Sequence, residues 1–540
     1  MDTSQSPSSG DPNPQFRTAA IDAFLAGLSP WELMYLRGQL RDGTAKISGL
    51  ASFEDLPAEL VCIIATEHLC LDDVLNCRRV SHTWRAAWDH EAVCSTLCRY
   101  FFPGLLEIHG EHRDQTLARD LFLREAEQLL RRRHGKPMQK SFIVWNDSSS
   151  KVFRNKRPKH EAEDAPQGCI LAPSRYHYGP SVVYGDGKIA WELSNTRILI
   201  DDLRTRQRQI CSLSQLYLSG LILHMQSVTK DLLVLSARGS NAVHVWHLNL
   251  EEWRRVTLPA HCSACYAEGE RVAFVTTESH VVCWNWGGKA LDLGAREEAH
   301  LPDQPLCVMW HPVRRSSLFV SFLYNRDDSD GNDYEVLVLK YEDGKPVQRF
   351  TELATSLTLP ETDPTPTPMG WSQVIQTRCQ KLNSHGLYLM AEMRLDDLQN
   401  SMTPVAAASV GFNVVTETFV QRRYSNASGN PTEDFDDLQG WMHHAVFAHH
   451  WRDALGEQLV IMGQTHDDPC SRRFQAGYHS SPAERSSPTP DISDPQREVN
   501  HGMHPLERGE FFCDDGFMVF TTKLGMLVWA FCDVPELPAL

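Results

Sequence analysis

The chain has 540 residues, 42% of them hydrophobic, and a formal net charge of −17. That length exceeds one ordinary domain, and the acidic balance argues against a general nucleic-acid binder, which needs a basic face. No apolar run approaches the roughly 18 residues that would suggest a membrane span. The polar, Pro/Ser-rich opening MDTSQSPSSGDPNPQ also lacks a charged-then-apolar signal layout. A cytoplasmic and/or nuclear protein is therefore expected, with its fifteen scattered cysteines reduced.

Residues 1–15 read as a disordered tail. Residues 16–48 hold two short helices broken at Ser29-Pro30. One groups Phe24, Leu25 and Leu28, the other Trp31, Leu33, Met34, Leu36 and Leu40, and both are expected to brace the segment that follows.

That segment is the most informative in the chain: FEDLPAELVCIIATEHLCLDDVLNCRRVSHTWRAAW, residues 53–88. Pro57 suits a helix start, where its missing N–H would be unpaired anyway, and Glu59 complements the dipole. Leu60, Ile63 and Ile64 form an apolar stripe leading to Glu67. His68 and Leu69 close that helix, Asp72 is the expected N-cap of the next, and Ser81 starts a third that holds Trp84. One reading is a small helical subdomain packed on its own neighbours.

The order Leu-Pro-x-Glu-Leu, Asp-Asp-x-Leu, Arg-Arg-Val-Ser-x-x-Trp-Arg resembles an F-box and places one within residues 50–100. In that family three helices dock onto the SKP-type adaptor of a cullin–RING ubiquitin ligase. The resemblance implies that Leu56, Pro57, Leu60, Ile63, Ile64, Leu75, Val80 and Trp84 supply the docking surface and its support. Cys62, Cys70 and Cys77 depart from the usual residue types there and are expected as small packing groups.

Residues 101–146 read as a helical linker. Within it, 114–134 form a helix with Leu117, Leu121, Phe122, Leu129 and Leu130 as its buried stripe, and Arg131–Arg133 favour its C-terminal dipole. Residues 147–170 read as a polar linker, and its basic run Arg154–Lys159 as a solvated stretch.

From 171 to 540 short strand-like runs alternate with Gly, Asp and Asn turns, which is all-β spacing. Trp284 follows Thr277 at the same interval as Trp529 follows Thr522, and a third copy, Val243-His244-Val245-Trp246, precedes Trp284 by one further period. Repeats of about 40 residues are the signature of propeller blades. Blade starts near 176, 221, 264, 305, 372, 441 and 511 suggest seven blades, with six as the alternative. This part resembles a divergent WD-like propeller lacking the Trp-Asp and Gly-His pairs. Insertions near 358–370 and 464–510 are expected to be exposed and mobile. The fold class expected is thus α + β multidomain, a three-helix F-box module with flanking helices followed by an all-β propeller.

No P-loop, dinucleotide fingerprint, metalloprotease helix or nucleophile elbow occurs. Cys262-x-x-Cys265 lacks a second paired knuckle, so neither metal nor cofactor is expected. His443-His444 and His449-His450 stand too far apart along a strand for one ion. Asp201-Asp202 and Asp514-Asp515 are expected to bond nearby backbone at turns. The Ser/Thr-Pro pairs at 365, 367, 481, 487 and 489 are read as ordinary features of Pro/Ser-rich loops.

The function implied is that of a non-catalytic substrate receptor in an SCF-type E3 ligase, with the propeller recruiting a protein target and no contact with nucleic acid or membrane. The whole-chain pattern resembles fungal F-box proteins. A scaffold that binds the adaptor outside any ligase is the alternative. A propeller enzyme would need converging catalytic side chains, and the sequence names none.

Overall fold

The computed structural model describes residues 23–35 except 33, and 56–111, 117–133, 136–145, 152–156, 170–171, 180–216, 221–299, 305, 307–325, 334–354, 371–397, 403–425, 435–441, 444–453, 456–464, 474–479, 511–521 and 525–535. The expected mobile insertion at 358–370 and all five Ser/Thr-Pro pairs lie outside them. Most of 464–510 does too, although a strand, Phe474–His479, falls within that stretch.

The helical part comprises α1 (Ala58–His68), α2 (Leu71–Cys77), α3 (His82–Trp88), α4 (Glu91–Phe101), α5 (Leu105–Glu111) and α6 (Ala118–Arg133). Pro57 is the extended N-cap of α1, Ser81 Oγ caps α3 by accepting from the Trp84 N–H, and α1 ends at His68, as the sequence indicates. Helix α2 begins two residues earlier than expected. Cys70, not Asp72, is its N-cap, because the Asp73 carboxylate reaches back to the Cys70 N–H in a capping box.

The described strands pair into seven sheets, of which six form a closed ring of blades. Blade 1 joins Phe511–Cys513, Phe517–Thr521 and Gly525–Ala530 to a strand from the other end of the fold, Gln139–Val144. Blade 2 spans 182–212, blade 3 spans 222–257, blade 4 spans 262–292, blade 5 spans 307–354 and blade 6 spans 371–425. Two short strands, Arg154–Asn155 and Ile170–Leu171, add to blades 2 and 3 in parallel.

The first strands of blades 2 to 6 touch in succession. Blade 1 meets blade 2 where Tyr184 stacks on Phe512 with ring centroids 5.8 Å apart. Blade 6 meets blade 1 directly, Gln380 Nε2 donating to the Cys513 carbonyl at 2.8 Å. Near the axis, Glu268 of blade 4 accepts from Lys381 (2.7 Å) and Tyr388 (2.9 Å) of blade 6. The sheet built from Phe435–Trp441, His444–Asp453, Gly456–Gln464 and Phe474–His479 touches blades 6 and 1 but does not separate their first strands. The seven-blade count therefore gives way to six blades plus one extra sheet.

Strand Gln139–Val144 corrects the domain boundary, since the propeller draws on residues inside the expected helical linker. It closes the ring in antiparallel register, Gln139 opposite Ala530 and Val144 opposite Gly525. A Cβ at Gly525 would lie 2.3 Å from the Ile143 carbonyl oxygen, so the close approach requires glycine. The three repeated tryptophans, Trp246, Trp284 and Trp529, all occupy third strands and are buried.

Five neighbouring blade pairs, 1–2, 2–3, 3–4, 4–5 and 5–6, each share an apolar core. The other face of blade 1 is covered differently. Met518, Phe520, Leu527 and Trp529 join one continuous core with Val61, Leu71, Val74, Trp88, Leu97, Phe102, Leu121 and Phe122 of the helices. The helical module thus fills the seam between the last and first blades.

Candidate docking face on the helical module

Helix α1 buries Val61 and Ala65, one turn apart, toward Leu71, Val74, Leu75 and Trp88. Its opposite side presents Leu60 (42% exposed) and Ile63 (47% exposed). The i,i+3 spacing puts those two side chains on one face. Val80, after α2, is 63% exposed. Pro57 is exposed, Ile64 is partly buried, Leu56 and Trp84 pack partly against the core, and Leu75 lies within it. The eight sequence-derived residues therefore divide into an outward set (Pro57, Leu60, Ile63, Val80) and a supporting set (Leu56, Ile64, Leu75, Trp84).

Apart from Leu75, the most deeply buried residues that hold the module together were not among those eight. Val61 and Ala65 form the true inward stripe of α1, and Trp88 rather than Trp84 is the fully buried indole. The i,i+4 spacing of Val61 and Ala65 was the available signal, with Ala58 also packing inward. Asp89 accepts from Arg78 at 2.6–2.7 Å and pairs with Arg119 at 3.5 Å, tying the α2–α3 region to α6. Desolvation by burial pushes the Cys94 and Cys98 thiols up to about 12, so both remain protonated packing groups at neutral pH.

Helix α6 carries the module onto the propeller. Leu121, Phe122 and Leu129 are buried as expected, while Leu117 is exposed and Ala126, outside the expected stripe, joins the core. Arg132 does more than favour the helix dipole. Almost fully buried, it donates to the Asp515 carbonyl at 2.6 Å, beside Gln128, which bonds the same oxygen.

Glu125 Oε2 lies 3.5 Å from His385 Nε2 in the first turn of blade 6. Burial would raise the Glu125 carboxyl, but the His385 hydrogen bond and charge, with Arg124 and Arg132, outweigh it and hold the group at about 2. Asn413 Nδ2 donates to the Pro103 carbonyl at 2.9 Å. Gly104 sits at φ +92°, and a Cβ there would fall 2.4 Å from the His385 carbonyl oxygen. These contacts lie at the turns joining first to second strands (383–386, 514–516) and third to fourth (413–417), so the helices occupy that rim of the ring.

Of the acidic pairs, Asp202 and Asp514 accept backbone N–H groups at their turns, as expected. Asp201 does not. It is fully buried, receives both Nε (2.6 Å) and Nη2 (2.9 Å) of Arg208, and accepts from Trp191 Nε1 at 2.9 Å. Cys262 and Cys265 share one strand, and burial lifts both thiols, Cys262 to about 11. Among the described residues no group of three or more His, Cys, Asp or Glu side chains is placed to hold a metal ion. His443 lies outside the described residues.

Of the segment 16–48 expected to brace these helices, only 23–35 except 33 is described, and Phe24, Trp31, Met34 and Tyr35 there are exposed. No described helix is long and apolar enough to cross a membrane.

No family model matches the sequence, and no curated protein matches it. Among solved structures the chain is similar to the β-propeller domain of Myceliophteria thermophila Cps50 (Swd1), with 9% identity, TM-score 0.34, and coverage of 66% of this chain and 98% of that one. It is also similar to the WD40 domain of SCAP from fission yeast, with 9% identity, TM-score 0.33, and coverage of 65% and 84%. At such low values the propeller assignment rests on the strand pairing itself. The chain contains a six-bladed β-propeller whose ring is sealed by an N-terminal helical module.

Proposed function

We propose that this chain is the substrate receptor of an SCF-type ubiquitin ligase, its helical module docking an SKP-type adaptor and its propeller recruiting a protein target. The observation that carries the reading is the outward placement of Leu60 and Ile63 on a helix whose other side is fully buried. Large apolar side chains grouped on one exposed helix face favour a protein partner. The F-box order of residues 56–84 names its kind.

The role is positional. A shared core makes helices and propeller one body, so a docked adaptor and a bound target are held at a fixed separation, which raises the local concentration of target lysines. The helices occupy one rim of the ring, which leaves the opposite rim, with its turns at 195–196, 238–241 and 277–280, for the target.

Copurification tests the reading. The full chain should retain the adaptor, and a Leu60→Ala/Ile63→Ala/Trp84→Ala variant should lose it. A variant that still binds undiminished sinks the assignment. A scaffold acting outside the ligase is distinguished by target half-lives that do not change when the protein is removed.

A further inference from the structure

Among the described residues, only blade 3 has a strand added on the axis side of its first strand. Ile170–Leu171 pairs there in parallel with Ile222–Val228, Ile170 opposite Ile222 and Leu171 opposite Leu223. The Ile170 N–H donates to the Leu221 carbonyl at 3.1 Å, and the Leu171 N–H donates to the Asn195 carbonyl at 2.8 Å. Asn195 belongs to the turn between the second and third strands of blade 2. The seat of Ile170–Leu171 therefore lies on the rim opposite the helices, at the mouth of the ring between blades 2 and 3.

The two side chains are used differently. Leu171 is 3% exposed and joins the apolar core of blades 2 and 3 with Ile198, Leu213 and Leu223, whereas Ile170 is 42% exposed. One aliphatic side chain turned in and its neighbour turned out, on a strand edge, is how extended peptides are recognised. Backbone bonds hold such a peptide, and pockets for alternate side chains select it. The pairing is two residues long, against about five for an ordinary strand, so few bonds hold the present occupant. A segment of the same chain needs no more, because its binding is intramolecular.

We propose that this seat is the propeller's peptide site. A target enters as an extended segment, adds in parallel to Ile222–Leu223, places an aliphatic side chain where Leu171 stands, and displaces Ile170–Leu171. The site rests on the receptor reading only in taking the second occupant to be the target.

The probe is a fluorescent peptide of this chain's own residues 166–176 with Cys169→Ser, and the readout is its anisotropy with the full chain. Leu171→Asp in the protein expels the buried side chain and opens the seat. That variant should bind the peptide at least tenfold more tightly than the parent, whose own segment competes. Ile170→Pro removes the N–H that reaches Leu221 and leaves the buried side chains in place. It should bind at least threefold more tightly than the parent, and it decides the matter if L171D does not fold. A peptide carrying Leu171→Asp should bind neither variant. Variants that bind no better than the parent, or equal binding of the two peptides, overturn the proposal. Adaptor binding by the same proteins separates the two readings. Adaptor bound with peptide refused leaves the receptor reading without this site, and peptide bound with adaptor refused leaves the site without the receptor reading.

Discussion

Adjacent residues on α1 should respond in opposite ways to the same substitution. Val61 is 1% exposed inside the shared core, whereas Leu60 is 42% exposed on the outer side. Val61→Ala removes two buried methyl groups, about 1.6 kcal/mol of transfer energy, and the cavity left behind raises the loss to about 2–3 kcal/mol. Leu60→Ala gives up only part of a side chain that is already half in water, about 1 kcal/mol or less. For a unit of well over 250 residues about 1 kcal/mol moves the midpoint by roughly 1–2 °C. Thermal unfolding followed by tryptophan fluorescence should therefore show Val61→Ala down by several degrees and Leu60→Ala nearly unmoved. Adaptor affinity should show the reverse, with Leu60→Ala weakened about tenfold and Val61→Ala within threefold at a temperature where both are folded. Equal destabilisation by the two substitutions would mean that the inward and outward faces of α1 are assigned wrongly.

Other substitutions probe the seam and the ring. Gly104→Ala combines a left-handed backbone with a clash against the His385 carbonyl. It should cost about 2 kcal/mol or more in denaturant unfolding. The Glu125 carboxyl sits at about 2 in the folded protein against its ordinary 4.5. It therefore contributes stability that is fully present above the ordinary value and lost as pH falls toward the folded one. The difference corresponds to about 3 kcal/mol, so E125Q should lower stability at neutral pH and flatten the acid limb, as read by unfolding midpoints across the acid range. Asp201→Ala leaves the Arg208 guanidinium buried without its carboxylate. It should destabilise blade 2 by about 3–5 kcal/mol, visible as faster amide exchange in 188–212.

The propeller was legible because its period is written in large buried side chains. Trp246, Trp284 and Trp529 recur on equivalent third strands, where each large side chain fills an interface, Trp246 and Trp284 between blades and Trp529 against the helices. The count was not legible in the same way. Sequence shows how many sheets form, but membership of the ring depends on Gln380 reaching Cys513, a contact between strands 133 residues apart.

Gln139–Val144 escaped notice for a related reason. So short a run with a weak alternation resembles a linker until its partner at the far end of the chain, Gly525–Ala530, fixes its register. The helix positions of segment 56–88 were readable from Pro57, Ser81 and the apolar spacing. Which face of α1 turns inward was not, because Leu60, Val61, Ile63 and Ile64 make both sides apolar and only packing chooses between them. Arg132 was misread because a basic residue at a helix C-terminus already has a sufficient local explanation, and the Asp515 carbonyl it reaches belongs to a distant turn.

The central claim is that the outward face of α1 takes an SKP-type adaptor. Titration calorimetry of the intact chain with that adaptor addresses it directly. One-to-one binding is predicted, abolished in a Leu60→Lys/Ile63→Lys variant whose unfolding midpoint stays within a few degrees of the parent. Absence of binding by the parent, or full binding by the folded variant, would contradict it.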